Sequence, residues 1–301
     1  MRQVNVDLNS LAQEEADFVE SRRHSIGGSD AAVLVGCPYS SENTPLQLYF
    51  SKLDEPEKKD LTNFLMVKKR REDQLLEELF IFLKANEQTR YAFKRMEKNV
   101  PTFKHPEYDF LHANLDGVLT LVNGQKVGIE IKTQNAFAKD KWDKGVPEYI
   151  QMQVQHYMLV TGWDSFLVWV EFSHGEFSLF EIQANAFWQD VILKRSKEFW
   201  KNHIETQTPP PPSTKKELSL TAPAYSEPKI ASAEDIDLIE QIKKAKAEKK
   251  KAAKRQLKAE TQLAESLKDN PVLTDAQGNC LATYKSGKNG RRINIKKEKV
   301  A

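Results

Sequence analysis

The sequence predicts a mixed α/β (α+β) domain, a sheet flanked by helices, followed by an appendage of one long helix and a small β unit. Three observations predict it. Between residues 44 and 206, segments of helical periodicity interleave with runs rich in β-branched and aromatic residues, the order that lays helices on a sheet. The stretch LDGVLTLVNGQKVGIEIK, 115–132, sets two strand-like runs around Asn123-Gly124, the strongest short-range hairpin signal. Prolines then cluster before residue 229, four in a row at 209–212, and beyond them the composition turns basic. The chain is therefore read as a body over 1–206, a proline-rich linker over 207–230 and a basic helical (coiled-coil-like) and small β region over 231–301.

In order, residues 9–21 read as an amphipathic helix with Leu11, Phe18 and Val19 among acids. Gly27-Gly28 makes a flexible turn, Ser29 is placed to N-cap a short helix running to Val35, and Gly36 is a natural residue to follow its end. A serine-opened helix N-terminus behind glycines suits an anion, with Arg22 and Arg23 just upstream; the plain alternative is a capped structural helix. Pro45 opens a helix over 45–54, and 54–60 reads as a loop. The longest helix of the body is expected over 62–86, with Leu75, Leu76, Leu79 and Leu83 apolar and a charged centre at 68–73, from which Glu72 or Asp73 could reach a metal site. Strands follow over 90–122, with a turn at 105–109.

After Lys132, the polar segment 133–145 is expected to be mobile and to lie over a substrate. Pro147 opens a helix that ends at Gly162 and carries Gln151, Gln153, Gln155 and His156 among its polar residues; His156 reads as structural or exposed, not as a ligand. Strands SFLVWVEF and EFSLFEI and a helix over about 184–206 complete the body. A helix over 233–268 has a thin apolar seam and needs a partner helix or DNA, and 272–296 reads as the small β unit.

Composition narrows the function classes. The 301 residues are 40% hydrophobic and 29% charged, no apolar run approaches a membrane span, and the first residues do not read as a signal peptide. Cys37 and Cys280 stand too far apart in the chain to frame a disulfide scaffold or a cysteine metal cluster, which points to a reducing compartment and a cytoplasmic location. The net charge of +2 conceals a division: residues 241–301 carry 17 Lys/Arg against 6 Asp/Glu, so the rest is acidic. A basic tail suits a polyanion, or else is the solvated face of a coiled coil.

The candidate chemistry lies in the hairpin. Glu130 and Lys132, two apart on a strand, share a face. Two carboxylates, Asp116 and Glu130, supply the hard oxygen ligands that Mg²⁺ takes, and a lysine beside them can orient water or stabilise charge on a phosphate. One geometric condition applies. A two-residue loop pairs Asp116 with Ile131 and turns it away from Glu130; one extra loop residue pairs Asp116 with Glu130. The nuclease reading thus predicts a three-residue glycine-bulge loop or another irregularity. The bland reading makes Asp116-Gly117 a turn and Glu130 and Lys132 a solvated face.

Five segments, in order, resemble the YqaJ family of viral recombinases, relatives of the phage lambda exonuclease within the restriction-endonuclease-like PD-(D/E)XK nucleases. They are R-x-x-x-IGGSDAA at 22–32, the charged helix at 66–80, LDG at 115–117, EIK at 130–132 and YIQMQVQHYMLVTG at 149–162. The resemblance implies a restriction-endonuclease-like sheet and a metal-dependent exonuclease digesting double-stranded DNA 5′→3′ to 3′ single strands for recombination. Asp116, Glu130 and the Ile131 carbonyl would bind Mg²⁺ or Mn²⁺, Lys132 would assist the attacking water, Gln153 would support the site, and Arg22 and Ser29 would hold a phosphate. The family helix carries a glycine a few residues before a glutamate near the metal; here KKRRED lacks the glycine, leaving Glu72 and Asp73 both open. Implied partners are double-stranded DNA, a single-strand annealing recombination protein and further copies of the chain, as in a ring-shaped trimer, with no membrane, in the bacterial host cytoplasm. The alternatives are an endonuclease of the same superfamily and a non-catalytic DNA-binding or recombination scaffold.

Overall fold

A five-stranded mixed sheet carries the first of two units, Met1–Ala222 and Pro223–Ala301, in a computed structural model that describes residues 20–53, 62–86, 91–98, 100–173, 175–221, 230–267, 271–287 and 290–296. In chain order the first unit holds α1 (Gly28–Leu34), α2 (Pro45–Leu53), α3 (Thr62–Ala85), β1 (Phe93–Lys98), β2 (Phe103–Lys104), β3 (His112–Ala113), β4 (Gly117–Leu121) and β5 (Lys126–Gln134). A 3₁₀ turn (Ala136–Lys141), α4 (Glu148–Thr161), β6 (Ser165–Phe172), β7 (Glu176–Gln183), α5 (Ala186–Phe199) and α6 (Lys215–Thr221) follow. The sheet order is β1-β4-β5-β6-β7, antiparallel except for β5 beside β6, which α4 joins as a parallel crossover.

Strand alternation sorts the sheet into two faces. Val127, Ile129 and Ile131 of β5, with Leu167 and Trp169 of β6, pack under Leu75, Leu76, Leu79 and Leu83 of α3. On the other face Val118, Phe166, Val168 and Val170 meet Ile150, Val154, Tyr157 and Met158 of α4. Gly128 lies on this second face because Phe166 fills the space a side chain would take: an added Cβ would stand 2.1 Å from its ring. Glu130 and Lys132, in step with Gly128, therefore face α4. Gly162, at φ 70°, ends α4 in the left-handed conformation that glycine adopts without strain.

Three expectations need correction. Gly27, not Ser29, is the N-cap of α1; the Asp30 carboxylate accepts the Gly27 N–H at 3.0 Å, and Ser29 stands inside the first turn. The C-terminal reading holds, for Gly36 at φ 80° and Cys37 donate back to Val33 and Ala32 in a Schellman arrangement. The segment after Lys132 is built into the fold. β5 runs on to Gln134, a 3₁₀ turn follows, and Trp142 is buried against Phe172 and Phe180, since burying an indole outweighs the polarity of its neighbours. Part of the proline-rich stretch also folds: α6 buries Glu217, which accepts from the Thr44 hydroxyl and from the Ser213 and Thr214 N–H groups. The expected helix over 9–21 and loop over 54–60 fall outside the described residues, apart from Glu20 and Ser21.

The second unit comprises α7 (Ala233–Leu267) and an antiparallel sheet of β8 (Val272–Thr274), β9 (Cys280–Gly287) and β10 (Gly290–Ile295). Ile236, Leu238, Ile239 and Ile242 of α7 are exposed, the thin seam expected from the sequence. Among the described residues no helix is long and apolar enough to cross a membrane.

Candidate active site

The β4–β5 connection decides whether the two acids meet. The ladder pairs Gly117 with Ile129 and Thr120 with Lys126, and Leu121 N–H donates to the Gln125 carbonyl at 2.8 Å. The loop is therefore three residues, Val122-Asn123-Gly124, with Gly124 at φ 88° and the Asn123 side chain accepting the Gln125 N–H at 2.9 Å. This is the irregular hairpin that the nuclease reading requires. One step before the ladder, Asp116 falls beside Glu130, and its carboxylate accepts the Ile131 N–H at 2.6 Å.

Three of the expected residues, with Tyr157, form one hydrogen-bonded group. Lys132 donates to Glu130, and at 3.2 Å to the Gln153 Oε1. Gln153 donates to the same Glu130 oxygen at 2.8 Å and to the Tyr157 hydroxyl at 2.8 Å. Glu130 is 3% exposed, so this carboxylate is held almost wholly by protein groups. Burial and the Glu130 charge push the Asp116 carboxyl well above the usual carboxylate range, against the Ile131 N–H and Lys132. For Lys132 burial acts downward, but Glu130 and Asp116 more than offset it, and the ammonium is held above its ordinary range. Burial, reinforced by Glu130, raises the Tyr157 hydroxyl well above its ordinary value and keeps it protonated.

Residues 17–164 match the family model of the YqaJ-like viral recombinase domain. Over these residues the chain is YqaJ-like. The uncharacterized protein YqaJ of Bacillus subtilis (strain 168) is 28% identical over 192 residues, 62% of this chain and 56% of that protein, so the chain spans a little over half of its relative's length. Among solved structures, an alkaline exonuclease from Laribacter hongkongensis, LHK-Exo, is 16% identical with a TM-score of 0.48, over 68% of this chain and 99% of that one. The same exonuclease in complex with dAMP gives 18% and 0.49 over the same shares. A phage-related exonuclease from Haemophilus somnus 129PT gives 14% and 0.36, over 61% of this chain and 96% of that one.

Within the YqaJ-like domain, α3 separates the two acids that the sequence left open. Glu72 continues the inward row of Leu75, Leu76, Leu79 and Leu83, is half-buried, and its charge acts on Asp116. Asp73, one position round the helix, is exposed. Arg22 and Ser29 are brought together: the guanidinium donates to the Ser29 hydroxyl and to Asp30, each at 2.8 Å. His156 is buried, its Nε2 donates to the His112 carbonyl at 2.9 Å, and burial pushes it down to about 4, so it is neutral and structural.

Several site residues were not singled out from sequence. Asp30 is buried between Arg22 and Lys52, which donates to it at 2.7 Å; burial acts upward on Asp30, yet these two cations hold it below its ordinary value. Tyr149 and Tyr157 of α4 are two more. Their signal was present: Tyr149, Gln153 and Tyr157 are spaced by four and form one stripe over β5. Gly28 is the point where α1 touches this stripe, since an added Cβ would stand 2.7 Å from the Tyr157 ring and 2.9 Å from the Gln153 carbonyl. Gly28→Ala is therefore expected to cost about 1–3 kcal/mol in urea denaturation, because backbone and not a flexible side-chain tip must move. Any activity that depends on Gln153 should fall with it.

Proposed function

We propose that the YqaJ-like domain is a divalent-metal-dependent deoxyribonuclease that digests double-stranded DNA from its ends, 5′→3′, leaving 3′ single strands for a single-strand annealing recombination protein. The observation that carries the reading is the hairpin register, which sets Asp116 beside Glu130 with Lys132 and Gln153 on the same face.

The residues fit a hard cation. Two close carboxylates face one lysine in a site dry enough to push the Asp116 proton affinity up, a surplus of negative charge that a divalent ion neutralises. Among the described residues no three His, Cys, Asp or Glu side chains form a ready metal cluster, so the donors would be Asp116, Glu130 and the Ile131 carbonyl, with Glu72 the nearest candidate for a further one. When bound, Mg²⁺ or Mn²⁺ would polarise the phosphate and acidify a water. Lys132, kept cationic by Glu130 and Asp116, would donate to the attacking water or the phosphate and not act as a base. Gln153 holds Lys132 and Glu130 in register, and Tyr157 holds Gln153.

Polarity rests on Arg22 and Ser29 as holders of a 5′-phosphate. Asp30 already occupies the Gly27 N–H at the start of α1, so that contact would come from the two side chains and not from the helix terminus. Arg22 is 38% exposed, which leaves its guanidinium accessible from solvent. Assembly into a ring of copies, three in the simplest case, would keep the enzyme on its duplex.

The test uses linear duplex with 5′-phosphate ends beside a covalently closed circle, each with Mg²⁺, Mn²⁺ or EDTA. The expected result is metal-dependent loss of the linear duplex and an intact circle. A cut circle favours an endonuclease. Bound but uncut DNA in every case favours a scaffold, for which the nine Lys/Arg between positions 243 and 258 of α7 offer the polyanion surface.

A further inference from the structure

We infer that Tyr39, braced by Tyr149, is a stacking platform for a nucleobase of the DNA strand whose end enters the candidate active site. The inference takes the identity of the ligand from the nuclease reading above.

The platform is the outer end of a continuous row. Glu130, Lys132 and Gln134 follow one another along one face of β5, and Tyr157, Gln153 and Tyr149 follow one another along α4 above them. The Tyr149 hydroxyl meets Gln134, and Lys132 lies near enough for its charge to act on that hydroxyl. Tyr39 stands next, its ring centroid 5.2 Å from that of Tyr149 at an interplanar angle of 71°. It is 72% exposed, the most exposed tyrosine of the described residues.

A solitary exposed aromatic needs no function, but this ring is held. The Gly36–Cys37 turn closes α1 two residues before Tyr39, and the Cys37 thiol lies 3.9 Å from Glu148, the neighbour of Tyr149. The edge-to-face contact fixes one side of Tyr39 and leaves a flat apolar surface in water beside the proposed reaction centre. Such a surface recovers its lost burial by stacking on a second ring. The Cys37 thiol of this turn meets the Glu148 carboxylate, a charge that disfavours a phosphate there and suits an uncharged ring. Stacking on a base is also indifferent to sequence, as end-to-end digestion demands.

The test is equilibrium binding to 5′-phosphorylated duplex carrying 2-aminopurine at its terminal nucleotides, with Ca²⁺ in place of Mg²⁺. Wild type, Tyr39→Phe and Tyr39→Trp are expected to quench the probe, because the ring does the work and not the hydroxyl. Tyr39→Ala should lose the quench and bind about 5- to 150-fold more weakly. In Mg²⁺ the loss should fall on KM more than on kcat, and an abasic terminus should erase the difference between wild type and Tyr39→Ala. Tyr39→Ala quenching and binding like wild type overturns the platform, as does Tyr39→Phe failing alongside Tyr39→Ala. The two readings separate cleanly: digestion by wild type with no effect of Tyr39→Ala removes the platform alone, whereas a Tyr39-dependent quench without digestion removes the nuclease and keeps the platform.

Discussion

Lys132→Ala is expected to slow digestion of linear duplex by about 10²–10³-fold, the loss typical of removing one positioned donor from a reacting oxyanion. The ammonium touches Glu130 and Gln153 and is held above its ordinary range by the carboxylates around it, so it stays charged through neutral pH and contributes as a cation. DNA binding should persist, since one lysine is a small part of a phosphate-binding surface. Lys132→Arg tests the geometry. Glu130 and Gln153 fit a compact ammonium, and a planar fork should restore charge without restoring the rate. Initial rates on end-labelled duplex, with affinity measured in Ca²⁺, decide the matter. Lys132→Ala cutting within a few-fold of wild type would remove this lysine from the chemistry.

Asp116→Asn is expected to abolish digestion and, at the same time, to stabilise the metal-free protein at neutral pH. Burial and the Glu130 charge raise the Asp116 carboxyl above its unfolded value. The folded state therefore binds that proton more tightly than the unfolded state, and its contribution to stability is present at acid pH and is lost as pH rises through the raised value. At pH 7 wild type carries this loss and the asparagine variant does not. An asparagine oxygen can still accept the Ile131 N–H, so the strand contact need not be forfeited. Relief of a like-charge cross-strand pair is worth on the order of 1 kcal/mol, roughly 2–4 °C in a domain of this size. The metal is expected to reverse the ranking, since an ion at 100 times its Kd adds about 2.7 kcal/mol to a protein that binds it only when folded. Thermal melts at pH 5 and pH 7, with and without Mg²⁺, should show the variant ahead in EDTA and wild type ahead in Mg²⁺. An equal Mg²⁺ shift in both proteins would exclude Asp116 as a ligand.

Local chemistry by itself determined much of this protein. Asn123-Gly124 between apolar runs specified a hairpin, Pro147 and Gly162 bounded α4, and the leucine row of α3 announced its buried side, because turn preferences and side-chain periodicity act over a few residues. The same short range limited what could be read. Whether Asp116 faced Glu130 turned on a single extra loop residue, and Gly124 at φ 88° settled it only once both strands were paired with β1 and β6. Glu72 and Asp73 are neighbours in sequence, and only the packing of α3 on the sheet distinguished them. The contact between Tyr39 and Tyr149 and the ion pair between Asp30 and Lys52 join distant positions, and no local preference predicts such pairs. They form because hydrophobic burial brings α1, α2 and α4 onto one face of the sheet, and a polar group carried there must find its partner or remain desolvated and unsatisfied.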